Sequence, residues 1–267
     1  MDLVNTSLEN QIMQQSRHQF IYGYNGETRE KFLREMASRY PANLNDSNNI
    51  AVYVDSIGLP KIGPDSELDK TTLRAFSREY LISSILESLI DKTVKETDKS
   101  DLAKRSENLL QRINKLWSNG IEIESIEELR TVLEETRRIY YQKYEEYVKS
   151  GIVSNFIDIL PVSFINLNMF IREYKYMLNS KSFIGVIIDH QTPIATESEQ
   201  GVNSLVASRI NADISMKVAC EPGTWGHYYD LNGNYIEYVH DYGTVDLDDS
   251  NTAYMKKLKT KYSNFAD

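Results

Sequence analysis

The sequence predicts an α/β fold with a mostly parallel sheet of about five strands flanked by helices. Three observations predict it. The short, nearly continuous apolar runs QFIYG (19–23), IAVYVDS (50–56) and SFIGVIID (182–189) have the character of strands covered on both faces. Stretches with helical apolar spacing separate them, and the C-terminal part returns to β-forming residues. The resulting order is strand, helix, strand, helices, strand, helix, strand.

The elements follow one by one. After the first strand, TREKFLREMASRY places Phe32, Leu33 and Met36 at helical spacing, with Pro41 just beyond. After the second, TTLRAFSREYLISSILESLIDKTVKE sets Leu73, Phe76, Ile82, Ile85, Leu86, Leu89 and Ile90 on one stripe. DLAKRSENLLQRINKLW and SIEELRTVLEETRRIYYQKYEEYV read as a helical hairpin around Asn119-Gly120. Ser125 and Glu128 make a capping box there, and Gly151 stands just past the end. PVSFINLNMFIREYKYML, opening on Pro161, leads into the third strand. A fourth strand is expected around Met216 to Ala219, and a fifth in GNYIEYVHDYGTVDLDD, introduced by the Asn232-Gly233 turn. NTAYMKKLKTKY reads as a final helix. Residues 1–65 and 181–267 are then two parts of one α/β domain, interrupted by a helical insertion at 66–180 that exceeds a minimal parallel crossover.

A chain of 267 residues can bury a substantial core, and 41% hydrophobic with 26% charged residues is ordinary for a globular protein. The net charge of −9 argues against an extended nucleic-acid surface. One cysteine, Cys220, excludes an internal disulfide and suits a reducing, cytoplasmic setting. The polar N-terminus lacks a signal-peptide core, and the longest apolar run, FIGVII, is too short to span a bilayer.

Two short motifs carry the chemistry. In FIYGYNGETREKFL a strand end runs into Gly23-Tyr24-Asn25-Gly26 and then a helix, the layout of a phosphate-binding loop. Such a loop ends Gly-Lys-Ser/Thr, because the lysine neutralises phosphates and the hydroxyl holds Mg²⁺. Here Thr28, Arg29 and Glu30 stand at those places. Gly23 and Gly26 are placed to make the turn, and Asn25 tolerates left-handed geometry. Arg29 is bulkier than a lysine ammonium, and Glu30 would put a carboxylate where a triphosphate sits. In FIGVIIDHQ, Asp189 tips an apolar strand as a Mg²⁺-holding aspartate does, but His190 follows it where a catalytic glutamate would.

These motifs, with SLVASRINADISMKVACEPG and YIEYVHDYGTVDLD, resemble P-loop NTPases and more narrowly the AAA-type ATPases related to the origin-recognition complex. The resemblance implies nucleotide contacts at Gly23, Tyr24, Asn25, Gly26, Thr28, Arg29, Glu30, Asp189 and His190, with Asp189 on the metal if Mg²⁺ and ATP bind at all. It also implies a polar sensor residue on the fourth strand, for which Ala219-Cys220-Glu221 offers no clear candidate. The chain ends soon after the last strand, so a helical lid and a winged-helix domain are expected to be missing. Loss at every catalytic position together points to a pseudo-ATPase.

Other constellations favour plain readings. His18, His190, His227 and His240 show no ligand spacing, and Cys220 with His227 or His240 lacks an orienting residue, so solvated or hydrogen-bonded histidines and a buried thiol are expected. Tyr140, Tyr144 and Tyr147 share a helix face suited to packing, and KKLKTK (256–261) reads as a solvated face. GTWGHYYDLNGNYIEYVHDY packs aromatic residues among acids, which favours a protein–protein surface over base stacking.

The expectation is a non-catalytic subunit or regulatory partner in a multi-protein assembly. The resemblance suggests a bacterial setting of defence or mobile-element type. The alternative is a genuine ATPase in which Arg29 replaces the lysine, Asp189 holds Mg²⁺ and a partner supplies the rest. Other protein subunits are the expected partners, with no membrane and no direct nucleic acid; a homo-oligomer stays open.

Overall fold

The computed structural model describes residues 5–23, 25–42, 48–61, 69–116, 122–152, 164–190, 194–207 and 213–247. Its sheet has five strands: β1 (His18–Tyr22), β2 (Ile50–Asp55), β3 (Ile184–His190), β4 (Ile214–Cys220) and β5 (Tyr242–Asp246). They run in the order β2-β3-β4-β1-β5, and every pairing is parallel. β3 and β4 are buried at every position and β1 and β2 at most of theirs, whereas the edge strand β5 exposes Thr244 and Asp246. Burial on both faces is why β1, β2 and β3 read as continuous apolar runs and not as alternating ones.

The two faces carry different helices. On one, α1 (Asn5–Met13) and α2 (Gly26–Ser38) bring Ile12, Met13, Phe32, Leu33 and Met36 against Ile21, Ala51, Ile187, Ala219 and Val245. On the other, Phe20, Val52, Val54, Val186, Ile188, Met216 and Val218 face the long α3 (Lys70–Glu96), α7 (Phe164–Leu178) and α8 (Thr196–Ala207). Each fully buried Ile, Leu or Phe contributes about 1.5–3 kcal/mol relative to exposure, so this double covering holds the strand ends firmly in place.

Several expectations are revised. The polar stretch 5–13 forms α1, whose Met13 lies so close to Gly185 that a Cβ there would meet its Cε at 2.7 Å. DLAKRSENLLQRINKLW is two helices, α4 (Lys99–Arg105) and α5 (Glu107–Leu116), broken at Ser106. Helix α6 (Ile126–Ser150) is capped by Ser125 and stopped by Gly151 at φ 66°. It packs chiefly on α3, while α5 packs on α7, so α5 and α6 do not form the expected packed hairpin. In the fifth-strand region only 242–246 is a strand of the sheet. The expected Asn232-Gly233 turn forms, with Gly233 at φ 82°, but the pairing around it is limited to isolated bridges, with Asp230 N donating to Asn234 O and Ile236 N to Tyr228 O. Asp230 accepts from Asn232 N and Asn234 N, and Asp241 from Glu237 N. Pro161, Asn119-Gly120 and the final helix with its KKLKTK run lie outside the described residues. No helix among the described residues is long and apolar enough to cross a membrane.

The tyrosines of α6 hold down the chain that leaves β2. Tyr140 OH donates to Gly58 O at 2.8 Å, and Tyr80 OH of α3 donates to Asp55 O at 2.6 Å. Tyr144 OH accepts from Lys61 N. A Cβ on Gly58 would lie 2.1 Å from the Tyr80 ring, which is itself buried and tethered and cannot move aside cheaply. Replacing Gly58 by alanine is therefore expected to destabilise the protein by about 2–3 kcal/mol in urea unfolding. Unchanged stability would show that this close approach is not required.

Candidate functional site

The parallel order brings three pieces of chain to the C-terminal edge of the sheet. The loop after β1 leads into α2, and Gly23 N donates to Cys220 O at 3.1 Å, fastening that loop to the end of β4. Asp189 lies at the tip of β3, in register with Asp55 on one side and Ala219 on the other. Ala219 in turn is in register with Ile21, so β3 stands one strand away from the loop that β1 feeds. A ligand crevice in such folds opens at this edge.

Arg29 crosses that gap. It sits in the first turn of α2 and is 2% exposed, and its Nε donates to Asp189 Oδ1 at 2.8 Å. Its Nη1 donates to the Gly23 carbonyl, and its Nη2 to the His190 carbonyl at 3.2 Å. The guanidinium thus ties the loop, the helix and the β3 tip together through three separate hydrogen bonds. Asp189 Oδ2 also accepts from Tyr53 OH at 3.4 Å, and the Asp189 carbonyl from Ser56 Oγ at 2.6 Å.

The N-terminus of α2 is occupied as well. Asn25 has φ −89° and ψ 101°, an extended N-cap, so the left-handed geometry that asparagine tolerates is not used. Its Oδ1 accepts from Thr28 N at 2.9 Å, taking one of the free N–H groups on which an anion site depends. Neither Gly23 nor Gly26 has a positive φ, and a Cβ on Gly23 would meet only ordinary contacts with Leu247 and Arg29. Tyr24 lies outside the described residues. Glu30 does not stand in the loop's mouth: its carboxylate accepts from Arg34 Nε one turn on, at 2.7 Å, beside Tyr53, over whose ring Arg34 lies. Arg29 is the group that fills the site.

Along β3 successive side chains leave on opposite faces, so Asp189 and His190 part company. Asp189 faces α2, whereas the His190 ring lies against Trp225 at 5.5 Å between ring centres. Burial, and then the charge of Arg29, lower the His190 pKa to about 4, so the ring is neutral; neither of its nitrogens has a hydrogen-bond partner among the described residues. At the end of β4 burial pushes the Cys220 thiol up to about 12, so it stays protonated at neutral pH. His227 Nε2 is 3.0 Å from Thr196 Oγ1, and His18 Nδ1 accepts from Met216 N. Among the described residues no group of three His, Cys, Asp or Glu side chains could hold a metal ion.

A central β1 flanked by β4 and β5, a loop and helix after it, and an aspartate at the tip of β3 define a P-loop NTPase-type α/β domain. The sequence model of the ORC-CDC6-like family matches residues 31–267, and the chain belongs to that family of AAA-type P-loop ATPase fold. The match begins just after Arg29, so the loop itself precedes it. No curated protein and no solved structure matches the chain.

The residues at the loop do not fit Mg²⁺–ATP as arranged. The family's lysine position is held by a side chain already bonded to the aspartate that would serve the metal, and the helix terminus is capped from within. Sequence reasoning had Arg29 and Asp189 as separate substitutes for lysine and metal ligand. It missed that they pair with each other, and the signal was their opposite charge on two elements that a P-loop fold brings together.

Arg29→Met leaves Asp189 buried without its countercharge, and is expected to cost about 3–5 kcal/mol in urea unfolding. Arg29→Met with Asp189→Leu removes both charges and should recover most of that loss. A double variant as unstable as the single one would contradict the ion-pair account.

Proposed function

We propose that this chain is a pseudo-ATPase: an ORC-CDC6-like domain whose nucleotide site is filled by its own arginine and which acts as a non-catalytic subunit or regulatory partner in a multi-protein assembly. The observation that carries this reading is the buried Arg29–Asp189 ion pair with its link to the Gly23 carbonyl. A phosphate group entering the loop would have to break that pair and release the Asn25 cap. It would also have to approach the carboxylate of Asp189 without a lysine to balance it. Each step costs free energy that a working loop does not spend, because a working loop is empty and preorganised for the anion.

A fold that keeps the shape and loses the chemistry is of use as a surface. The double-covered sheet is rigid without ligand, so a partner could be recognised in the same way whatever the nucleotide level. The bacterial defence or mobile-element setting belongs to this reading as the context in which the resemblance placed it. The competing reading, a slow ATPase completed by a partner, requires Arg29 to leave Asp189 and take the phosphates.

Calorimetry and thermal melts with Mg²⁺ and ATP separate the two. A nucleotide present at 100 times its Kd would stabilise the fold by about 2.7 kcal/mol. We expect no heat and no shift in Tm at millimolar ATP. Binding that Arg29→Ala or Asp189→Ala abolishes would establish the ATPase reading instead.

A further inference from the structure

The loop that follows β4 is fastened along one stripe of α8. Glu199 Oε1 accepts from Gly226 N at 3.1 Å, and Asn203 Nδ2 donates to the His227 and Tyr229 carbonyls at 2.7 and 2.9 Å. Ser204 Oγ accepts from Leu231 N at 2.9 Å, and Thr196 Oγ1 meets the His227 ring. Glu199 and Asn203 are four residues apart in the helix and so are neighbours on that stripe, holding consecutive residues of the loop.

The fastening is incomplete at its centre. Glu199 is 4% exposed and Asn203 0%, yet Glu199 Oε2 and Asn203 Oδ1 have no hydrogen-bond partner among the described residues. Turning the amide round does not help, because Nδ2 already serves two loop carbonyls and a flip would set Oδ1 against both. Two buried acceptors thus stand on one face of the helix, and what they lack is a hydrogen. Leaving such groups unmet costs free energy, and each calls for a physical explanation.

The surroundings do not supply that hydrogen. The ionisable groups around this corner are His190 of β3, Cys220 at the end of β4 with Glu221 after it, and His227 of the loop. The neutral His190 ring and Trp225 Nε1, the nearest N–H groups of that packing, are themselves unpartnered. Helix α3 meets α8 through Ser77, Arg74 and Leu81, which contact Ser198, Gln200 and Gly201 in place of Glu199. Burial raises the Glu199 carboxyl above its ordinary value, against the smaller pulls of the Gly226 N–H and of His227.

We infer that α8 and loop 225–231 enclose a proton-binding site, in which a hydrogen carried on Glu199 Oε2 is donated to Asn203 Oδ1 and its uptake tightens the loop on the helix. Oε1 still accepts from Gly226 N, so one proton completes the fastening without breaking a bond. The folded carboxyl keeps its proton to a higher pH than the unfolded one. Between the two values the folded chain holds one proton more, so the site's contribution to stability is present at lower pH and is lost as pH rises through the folded value. The site works alike with or without nucleotide at Arg29, so this inference and the pseudo-ATPase reading can fail separately.

The test uses the whole chain. In Glu199→Gln the amide N–H₂ stands where the protonated oxygen would and donates to Asn203 Oδ1 at any pH. Its Tm is expected to exceed that of the wild type by a few degrees at pH 7.5, and the difference should shrink towards zero as pH falls to 5. Protection of the Gly226 amide against hydrogen exchange should follow the same course. His227→Gln removes the ring that acts on Glu199 and should leave the pH dependence in place. A Glu199→Gln chain that is no more stable than wild type at pH 7.5, or more stable by the same margin at every pH, would overturn the inference. A second measurement needs no variant in its readout: the ¹³C resonance of the wild-type Glu199 carboxyl should titrate above the ordinary glutamate range, and titration within or below that range would overturn the inference equally.

Discussion

Arg29 and Asp189 lie 160 residues apart in the chain and are joined at 2.8 Å with almost no access to water. Taking either charge out of water alone would cost several kcal/mol, so the fold can tolerate each only in the presence of the other. That mutual requirement fixes much else. Arg29 can reach β3 only if α2 starts where it does, which the Asn25 cap ensures. It can bond the Gly23 and His190 carbonyls only if β1 and β3 end at matched heights, which the parallel register through β4 provides. A pair of this kind adds little net stability over apolar side chains of the same size, but it punishes every arrangement in which the loop and the β3 tip do not meet.

The alternation of β3 divides the site in two. On the α2 face, Asp189 is saturated by Arg29 and Tyr53. On the opposite face, His190 rests on Trp225 with a lowered pKa and no hydrogen-bond partner among the described residues, so it contributes a neutral ring to the packing around Phe20 and Trp225. A catalytic carboxylate at that position would instead need solvent and a reacting water. Lys217, in the middle of β4, follows the same economy of charge. Burial lowers its pKa to about 7, and its ammonium donates to the Gln15 and Arg17 carbonyls and to Gln19 Oε1. The interior of this sheet accepts ionisable groups only where the chain supplies partners for them.

Much of the fold was legible because buried parallel strands write themselves as uninterrupted apolar runs. β1, β2 and β3 each did so, β4 was found around Met216 to Ala219 despite its buried Lys217, and the long stripe of α3 was equally plain. The parts that were not legible have physical reasons. Helix α1 buries only a few residues, Ile12 and Met13 among them, so its polar sequence gives little amphipathic signal. The packing partners of α5 and α6 depend on the sheet beneath them and not on the turn between them. The segment 229–241 has the β-forming composition of a strand, but it pairs only through isolated bridges about the Asn232-Gly233 turn, and Asp230 and Asp241 take up several of its N–H groups by side chain. In the site, the replaced residues could be read from the loop motif, and their positions on α2 and β3 followed from the layout. Their pairing was signalled only by opposite charge on two elements that the fold brings together, because local spacing says nothing about side chains meeting between a helix and a strand distant in sequence; nor did it show that Glu30 would turn to Arg34.

The claim at the centre of this account is that Arg29 is locked onto Asp189 and stays there in the presence of nucleotide. The Arg29 Nε–H resonance in an ¹⁵N-labelled sample reports on that bond directly, with assignment by Arg29→Lys. The account predicts one arginine Nε–H that exchanges slowly with water, is lost on Asp189→Asn, and keeps its shift and its exchange rate when saturating Mg²⁺ and ATP are added. A fast-exchanging Arg29 Nε–H, or one that shifts with ATP, would contradict it.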